Sequence, residues 1–488
     1  MKIKSKKPNV ILILADDMGY GDFGIFSQGR VNTPNIDSLV LEGVCMNQHY
    51  SGSPICSPAR AALLTGRYPH RSGAITQHEL LGLDRIALRE ATLADMFQSS
   101  SYKTGLIGKW HNGALDKRFE PNARGFDEFA GFCGGWSDYF KWNMSKNGVM
   151  HKSNGNYLTD ELTKMATEFI DRNKDQSFFL MLAYSAPHSP FQAHQKIIDK
   201  YIEKGFDRIT AVTYAMIEIM DTGIGKVLEK LDNLKIDKDT IVMFTSDNGP
   251  AFFNPPFMLE NGESSFNERF NAGLKGSKGW VYEGGIRVPM VIRYPAELKQ
   301  NVINQELSHF TDWLPTLASI CGIKKVNDLP LDGYDIINQL KGDKLENPPR
   351  RFWQWNFYYP SVSTNAAIRD GQWKLVQPMI NGTRYYNNQE LHVSKQDTIR
   401  TAALIEADIK HKEDPSLVYS LLETPNIKYP PPEAPELYNI NNDPEEKYNL
   451  AEQNPALVSK LTSELYKWFE DIELSRKSID DPLHNNNN

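Results

Sequence analysis

Two acidic pairs stand directly behind runs of β-forming apolar residues. Val10-Ile-Leu-Ile-Leu14 runs into Ala15-Asp16-Asp17-Met18-Gly19, and the run from Thr240 to Thr245 leads into Ser246-Asp247-Asn248-Gly249. Continuous apolar runs of this kind read as strands buried on both faces, as in a parallel sheet. Ligands of open α/β sheets bind beyond the carboxyl ends of the strands, so two such ends would bring Asp16, Asp17, Asp247 and Asn248 together. Three carboxylates and an amide oxygen form a hard donor set that suits Ca²⁺ or Mg²⁺ better than zinc. Taken alone, either pair is equally well explained as Asp and Gly shaping the turn after a strand. A third segment is Cys56-Ser57-Pro58-Ala59-Arg60, followed by Ala61-Ala-Leu-Leu-Thr-Gly-Arg67. Pro58 suits a first helical turn and would leave Cys56 at the helix N-terminus, where backbone N–H groups favour an anion. A lone cysteine is otherwise a small buried hydrophobe.

The elements that would position these residues alternate between strand and helix. Thr33 to Glu42, with Pro34 at its start, Leu158 to Arg172 and Val212 to Leu231 have helical periodicity; Phe178 to Ala183 and Val288 to Arg293 read as strands. This alternation predicts an α/β domain with a large, mostly parallel sheet flanked by helices, over residues 8–345. The polar stretch from Lys341 to Arg350, with Gly342, Pro348 and Pro349, reads as a linker. Beyond it, Phe352 to Tyr359, Ala366 to Ile368 and Trp373 to Val376 read as short strands without intervening helices, and Pro455 to Leu474 as a helix. A smaller C-terminal α+β domain containing an antiparallel sheet is expected over residues 350–480, followed by an Asn-rich tail at 481–488. Lys395 to Lys428 fits no element, and Pro430, Pro431, Pro432 and Pro435 mark an extended loop.

Composition limits the remaining classes. The chain has 488 residues, 40% of them hydrophobic and 11% aromatic, enough for a full core without metal or disulfide staples. A net charge of -7 argues against a general nucleic-acid binder. No apolar run approaches the roughly 20 residues of a membrane-spanning helix. Cys45, Cys56, Cys133 and Cys321 show no CxxC spacing, so neither a structural zinc site nor a disulfide framework is expected. Residues Met1 to Lys7 are basic but lead into no signal-peptide apolar stretch, so the protein is expected to be cytoplasmic unless a leader has been removed.

The segment from Cys56 to Arg60, with Leu64-Thr65-Gly66-Arg67, resembles the signature of the type I (formylglycine-dependent) sulfatases. Six further segments agree in order: Asp16-Asp17, Gly108-Lys109-Trp110-His111, Gly125-Phe126-Asp127, Ala186-Pro187-His188-Ser189-Pro190, Ser246-Asp247-Asn248-Gly249, and Lys278-Gly279 with Glu283-Gly284-Gly285-Ile286-Arg287-Val288-Pro289. Glu436-Leu-Tyr438-Asn439, Asp443-Pro444-Glu445 and Asn449-Leu450 also look like the family's tail. The likeness extends from residue 9 to about residue 470 and implies an alkaline-phosphatase-like fold.

What the resemblance implies is chemically intelligible. A maturation enzyme of the formylglycine-generating type would convert Cys56 to formylglycine (3-oxoalanine), whose hydrate carries two hydroxyls on one carbon. One would attack sulfur, and loss of the proton from the other would re-form the carbonyl and expel sulfate, a release that a serine ester lacks. Asp16, Asp17, Asp247 and Asn248, with residue 56 itself, would hold a divalent metal, Ca²⁺ or alternatively Mg²⁺. Arg60 would fix the diol, and Lys109 and Lys278 would contact sulfate oxygens. His111 would take the proton that permits sulfate release; His188, helped by Lys278, would protonate the leaving alcohol. Lys275 lies close to Lys278, but the spacing to Glu283-Gly284-Gly285 favours Lys278. His194 lies outside the motif and is a candidate substrate contact.

The same superfamily contains phosphatases and phosphonate hydrolases, which typically have a histidine after the second-site aspartate and often Ser or Thr as nucleophile. Asn248 and Cys56 favour sulfate. A decayed, sulfoglycan-binding homologue would be expected to have lost the nucleophile or its partners, and all remain. Gly134-Gly135-Trp136-Ser137-Asp138-Tyr139, Trp142-Asn143 and Phe352-Trp353-Gln354-Trp355-Asn356-Phe357-Tyr358-Tyr359 could stack on sugar faces or equally be strand core. The expected substrate is a sulfated carbohydrate, with small aryl sulfates as the alternative. The likeness to glycan-acting sulfatases implies a periplasmic or secreted protein if a leader was removed. Asn143-Met144-Ser145 and Asn381-Gly382-Thr383 are formal glycosylation sequons.

Overall fold

The structure is a computed structural model that describes residues 7–254, 265–266, 269–345, 347–380, 403, 406–407, 410 and 431–480. The Asn381 sequon, the tail at 481–488 and all but a few positions of the segment from Lys395 to Lys428 lie outside the described residues.

The main sheet is built from ten strands: β1 (Asn9–Ala15), β2 (Val44–Met46), β3 (Lys103–Lys109), β4 (Glu128–Phe132), β5 (Asn143–Lys146), β6 (Val149–Lys152), β7 (Phe178–Ala183), β8 (Thr240–Ser246), β9 (Met290–Arg293) and β10 (Val302–Asn304). Their spatial order is β10-β2-β9-β8-β1-β7-β3-β4-β5-β6. The central run β8-β1-β7-β3-β4 is parallel. β9 lies antiparallel to both β8 and β2, and the hairpin β5–β6 closes the other edge antiparallel to β4. The expected strand from Val288 starts at Met290, because Val288 N bonds His49 O outside the ladder.

Strand β1 shows how the sequence builds two cores. All seven of its residues are buried, and side chains alternate across a pleated strand. Ile11 and Ile13 pack with helices α1 (Pro34–Glu42), α3 (Leu158–Asn173) and α4 (Arg208–Leu234) on one face. Val10, Leu12 and Leu14 pack with α2 (Cys56–Thr65) and α5 (Trp313–Cys321) on the other.

Beyond the main sheet, β11 (Arg351–Gln354), β12 (Ala366–Asp370), β13 (Trp373–Gln377) and β14 (Glu436–Asn439) form an antiparallel sheet in sequence order. It is covered on both faces. Ile368, Leu375 and Leu437 meet Leu461, Leu465 and Trp468 of α6 (Pro455–Lys477), while Trp353, Ala367 and Val376 meet Tyr50, Val281 and Ile286 of the large domain. The expected strand from Phe352 to Tyr359 stops at Gln354. Asn365 Nδ2 donates to Trp355 O at 2.7 Å, and Trp355, Phe357 and Tyr358 leave the sheet to pack with Ile55 and Cys56.

Candidate active site

Four neighbouring parallel strands end at one place. β8 runs into Asp247 and Asn248, β1 into Asp16 and Asp17, β7 into the loop bearing His188, and β3 carries Lys109 at its last position with His111 two residues on. The register pairs Leu14 with Thr245 and Ala15 with Ser246, so the two acidic pairs are adjacent by construction. Asp247 N donates to Ala15 O at 3.1 Å, and Asp17 N to Asp247 Oδ1 at 3.2 Å. Asp17 has φ 66°, the left-handed region that Asp tolerates better than most residues. That turn reverses the chain as soon as the strand ends. Gly108 has φ 110°, and a Cβ there would lie 1.9 Å from Ala183 O, so only glycine lets β3 approach β7 beside Lys109.

Cys56 is the first residue of α2, the position expected for it, and is 2% exposed. Arg60, one turn on, donates through Nε to Asp247 Oδ2 at 2.9 Å and through Nη1 to Lys109 O at 3.0 Å. Lys109 Nζ meets Asp16 Oδ2 at 2.6 Å, and Lys278 Nζ meets Asp17 Oδ1 at 2.7 Å. His188 Nε2 lies 3.7 Å from Asp17 Oδ2. His111 Nε2 contacts Gln77 O at 3.0 Å. The proposed metal ligands and the groups assigned to the sulfate therefore share one buried cluster, with His111 at its margin. Ligand atoms of Asp16, Asp17 and His188 all lie within 4.8 Å of one another.

The donor chemistry fits a divalent cation. Asp16, Asp17, Asp247 and Asn248 are all buried. Asp16 Oδ1 and Asn248 Oδ1 are buried and accept no hydrogen bond among the described residues. Buried oxygens left in this way are costly unless something else satisfies them.

The electrostatics are those of mutually compensating buried charges. Burial opposes the charge on Asp17, but Lys278 and His188 outweigh it and hold its pKa below the usual carboxylate range. Burial, together with the Asp16 charge, pushes Asp247 up to about 6. Burial works against the Lys278 ammonium, yet Asp17, with Cys56 and Asp16 beside it, more than offsets it and raises its pKa. Burial, then Lys278, push His188 down to about 3. Burial raises the Cys56 thiol.

Several residues at the site carry no motif. Arg269 Nη2 donates to Asp17 O at 2.6 Å and its Nη1 pairs with Asp22 at 3.3 Å. Asn112 Nδ2 donates to Ser57 O at 3.0 Å and braces the first turn of α2. Tyr139 Oη donates to His188 O at 2.9 Å. Asn365 Nδ2 donates to Gly279 O at 2.9 Å, which ties the Lys278 loop to the C-terminal sheet. Asn112 adjoins the His111 motif and Tyr139 lies in the aromatic stretch from Gly134; Arg269 and Asn365 are distant in sequence and become visible through contact alone.

Asp84 also supports α2, its carbonyl accepting from Ser57 Oγ at 3.0 Å. Burial, with Glu79 nearby, pushes its carboxyl up to about 7. The unfolded group titrates near 3.9, so the folded chain holds the extra proton between these values. Stability is therefore lost as pH rises from about 4 to about 7. Asp84→Asn is expected to raise the melting temperature at pH 8 and leave it unchanged near pH 3, as measured by thermal unfolding at both pH values.

The family model described as sulfatase matches residues 8–323, and that described as N-sulphoglucosamine sulphohydrolase, C-terminal, matches residues 276–415. The chain is 32% identical over 388 residues to N-acetylgalactosamine-6-sulfatase of Homo sapiens, covering 74% of this chain and 70% of that one. It is 28% identical over 513 residues to arylsulfatase J of Mus musculus, covering 99% and 79%. The crystal structure of Ps i-CgsB in complex with k-i-k-neocarrahexaose superposes with a TM-score of 0.75 at 28% identity, over 95% of this chain and 93% of that one. The phosphonate monoester hydrolase of Agrobacterium radiobacter shares the fold, with a TM-score of 0.60 at 20% identity over 96% of each chain. The chain belongs to the sulfatase family, within the alkaline-phosphatase-like superfamily, and is a sulfuric ester hydrolase.

Proposed function

We propose that the protein removes sulfate from a sulfated carbohydrate, using formylglycine derived from Cys56 and a divalent cation held by Asp16, Asp17, Asp247 and Asn248. The observation that carries this reading is the convergence of Cys56 at a helix N-terminus, four buried oxygen-bearing side chains and three cations in one cluster. The carbohydrate part rests on N-acetylgalactosamine-6-sulfatase and on Ps i-CgsB with its bound neocarrahexaose.

The hydrated formylglycine supplies the nucleophile, and the cation supplies charge stabilisation for the sulfuryl oxygens. The chain's own residues do the rest. Arg60, fixed between Asp247 and Lys109 O, is a rigid positive group one turn from residue 56. Lys109 and Lys278 bind sulfate oxygens as point charges. His188 Nδ1 donates to Ser189 O at 2.6 Å, which leaves Nε2 facing Asp17. Lys278 Nζ and His188 Nε2 both approach Asp17 Oδ2, at 2.8 and 3.7 Å. A proton held on Lys278 is thus one carboxylate oxygen away from the histidine that serves the leaving alcohol. His111 accepts the proton whose loss allows sulfate to leave.

Mass spectrometry of the Cys56 peptide from active protein is expected to show an aldehyde. Dialysis against a chelator is expected to remove turnover, and Ca²⁺ to restore it. An unmodified thiol in fully active enzyme, or activity unaffected by chelation, contradicts this mechanism. Better turnover of small aryl sulfates than of any sulfated glycan contradicts the substrate class.

A further inference from the structure

His111 is held from three sides. Its backbone has φ 59°, in the left-handed region that is uncommon for a residue with a Cβ and persists where the surroundings fix it. Its N donates to Cys133 O at 3.0 Å, and its ring Nε2 lies 3.0 Å from Gln77 O. A carbonyl oxygen only accepts, so Nε2 carries the ring hydrogen and Nδ1 is the nitrogen that takes a proton. Gly135 forms the third side. A Cβ on it would meet three atoms of the imidazole first, Cε1 at 2.7 Å, Nε2 at 2.8 Å and Nδ1 at 3.3 Å. The φ of Gly135 lies outside the left-handed region, so the backbone would accept another residue and only the ring requires glycine.

One side chain joins two of these sides. Glu79 Oε1 accepts from Gly135 N at 2.6 Å, and Glu79 stands two residues from Gln77, whose carbonyl holds the ring. The loop that carries both is closed on itself: Ile75 N and Thr76 N donate to Leu83 O at 2.8 and 3.1 Å, and Leu81 N and Leu83 N donate to His78 O at 3.2 Å. His78 packs edge-on against Phe357, with ring centroids 4.3 Å apart. Leu80, Leu81 and Leu83 join the apolar cluster of Ile55, Cys56 and Trp355. The buried Glu79 is thus a hydrogen-bonded link from the surroundings of Cys56 to the segment behind His111.

We propose that Glu79 is a positioning residue for the release of sulfate: by fixing Gly135 against the imidazole it keeps Nε2 on Gln77 O and reserves Nδ1 as the proton acceptor. The proposal rests on the role assigned to His111 above and adds the residue that sets that role. In that step His111 Nδ1 takes the proton of the hydroxyl remaining at residue 56, the electron pair of that O–H bond closes the carbonyl, and the C–O bond to sulfate breaks with its pair on the departing sulfate. A displaced ring, or one protonated on the other nitrogen, meets that hydroxyl poorly. The earlier departure of the alcohol is served by His188 and does not depend on this contact.

The test compares the full chain with its Glu79→Ala, Glu79→Gln and Gly135→Ala variants. Histidine ¹⁵N NMR is recorded on chains whose Cys56 is unconverted, with His111→Gln assigning the resonances. Stopped-flow release of 4-nitrophenol from 4-nitrophenyl sulfate is recorded on converted enzyme. The parent is expected to show His111 as one tautomer, protonated on Nε2. Glu79→Ala is expected to mix the tautomers and to lower steady-state turnover about 10- to 100-fold, with a burst of about one nitrophenol per enzyme before the slow phase. Gly135→Ala, which moves the ring directly, is expected to do the same. Glu79→Gln, which keeps an oxygen for Gly135 N, is expected to recover most of the loss. Should Glu79→Ala not fold, Glu79→Asp, whose carboxyl falls short of Gly135 N, takes its place under the same criteria. Parent turnover in either alanine variant overturns the proposal, as does lost turnover with neither a burst nor a change of tautomer, the result for a merely structural residue. A burst in His111→Gln but none in Glu79→Ala overturns the part given to Glu79 alone. No burst in His111→Gln overturns the role of His111 on which the proposal rests.

Discussion

Replacing Cys56 by alanine is expected to abolish turnover while leaving the melting temperature within a few degrees of the parent. The loss should be on the order of 10⁶-fold, the scale seen when a covalent hydrolase loses its nucleophile. The two expectations separate because of where the residue sits. Its side chain is buried beside Ile55, Leu80 and Trp355, so the fold loses only a small volume, the thiol of the unconverted chain or the aldehyde group of the matured one. The cluster of Asp16, Asp17, Asp247, Arg60, Lys109 and Lys278 is held by its own ion pairs and does not depend on the thiol. Initial-rate assays with an aryl sulfate, paired with thermal unfolding of the same preparations, provide the check. Substantial activity in the alanine variant would exclude residue 56 as the nucleophile.

The second large effect is on stability and lies away from the chemistry. Lys374 in β13 is fully buried between Glu283, at 2.9 Å, and Glu446, at 3.0 Å. Glu283 also accepts from Tyr50 Oη at 2.7 Å, and its own N donates to Glu446 Oε2 at 2.7 Å. Burial opposes the charge on Glu283, but Lys374 together with Arg369 and Arg287 outweighs it and lowers its pKa; burial pushes Glu446 up to about 7. Lys374→Met leaves two buried carboxyls without their shared cation and is expected to cost about 3–5 kcal/mol. The double variant Lys374→Met/Glu446→Gln should recover part of the loss, because Glu283 keeps Arg287 at 3.6 Å. Thermal unfolding of the parent, single and double variants measures this. An unchanged melting temperature in the single variant would mean that the triad contributes little. Because Glu283 opens the short helix after the Lys278 loop, some loss of activity should accompany the loss of stability.

This network shows where the sequence stops being informative. Glu283 belongs to a recognisable run, but Lys374 and Glu446 lie 91 and 163 residues further along the chain, as the hydrogen bonds of Glu283 record. No periodicity relates the three; the antiparallel sheet brings them together. The same limit applies to the aromatic run from Phe352 to Tyr359. Its alternating Trp353, Trp355 and Phe357 read as a strand, yet the chain leaves the sheet after Gln354 because Trp355, Phe357 and Tyr358 are buried beside Cys56. A period-two pattern reports which side chains avoid water, and both arrangements satisfy that demand.

What the sequence determined by itself was local and chemical. Apolar runs ending in Asp-Asp and Ser-Asp-Asn identified buried strands with oxygen donors beyond them, and Pro58 was consistent with a helix that begins at Cys56. Those features depend on residue type and short spacing, which the chain carries explicitly. The tertiary structure alone decided that β8, β1, β7 and β3 are neighbours in that order, so that residues between Asp16 and Lys278 meet in one buried cluster. It also decided that an acidic chain holds Arg60, Lys109 and Lys278 against its own carboxylates at that one point. Net charge sums over the whole sequence, whereas a field depends on the distances between charges, and only folding sets those.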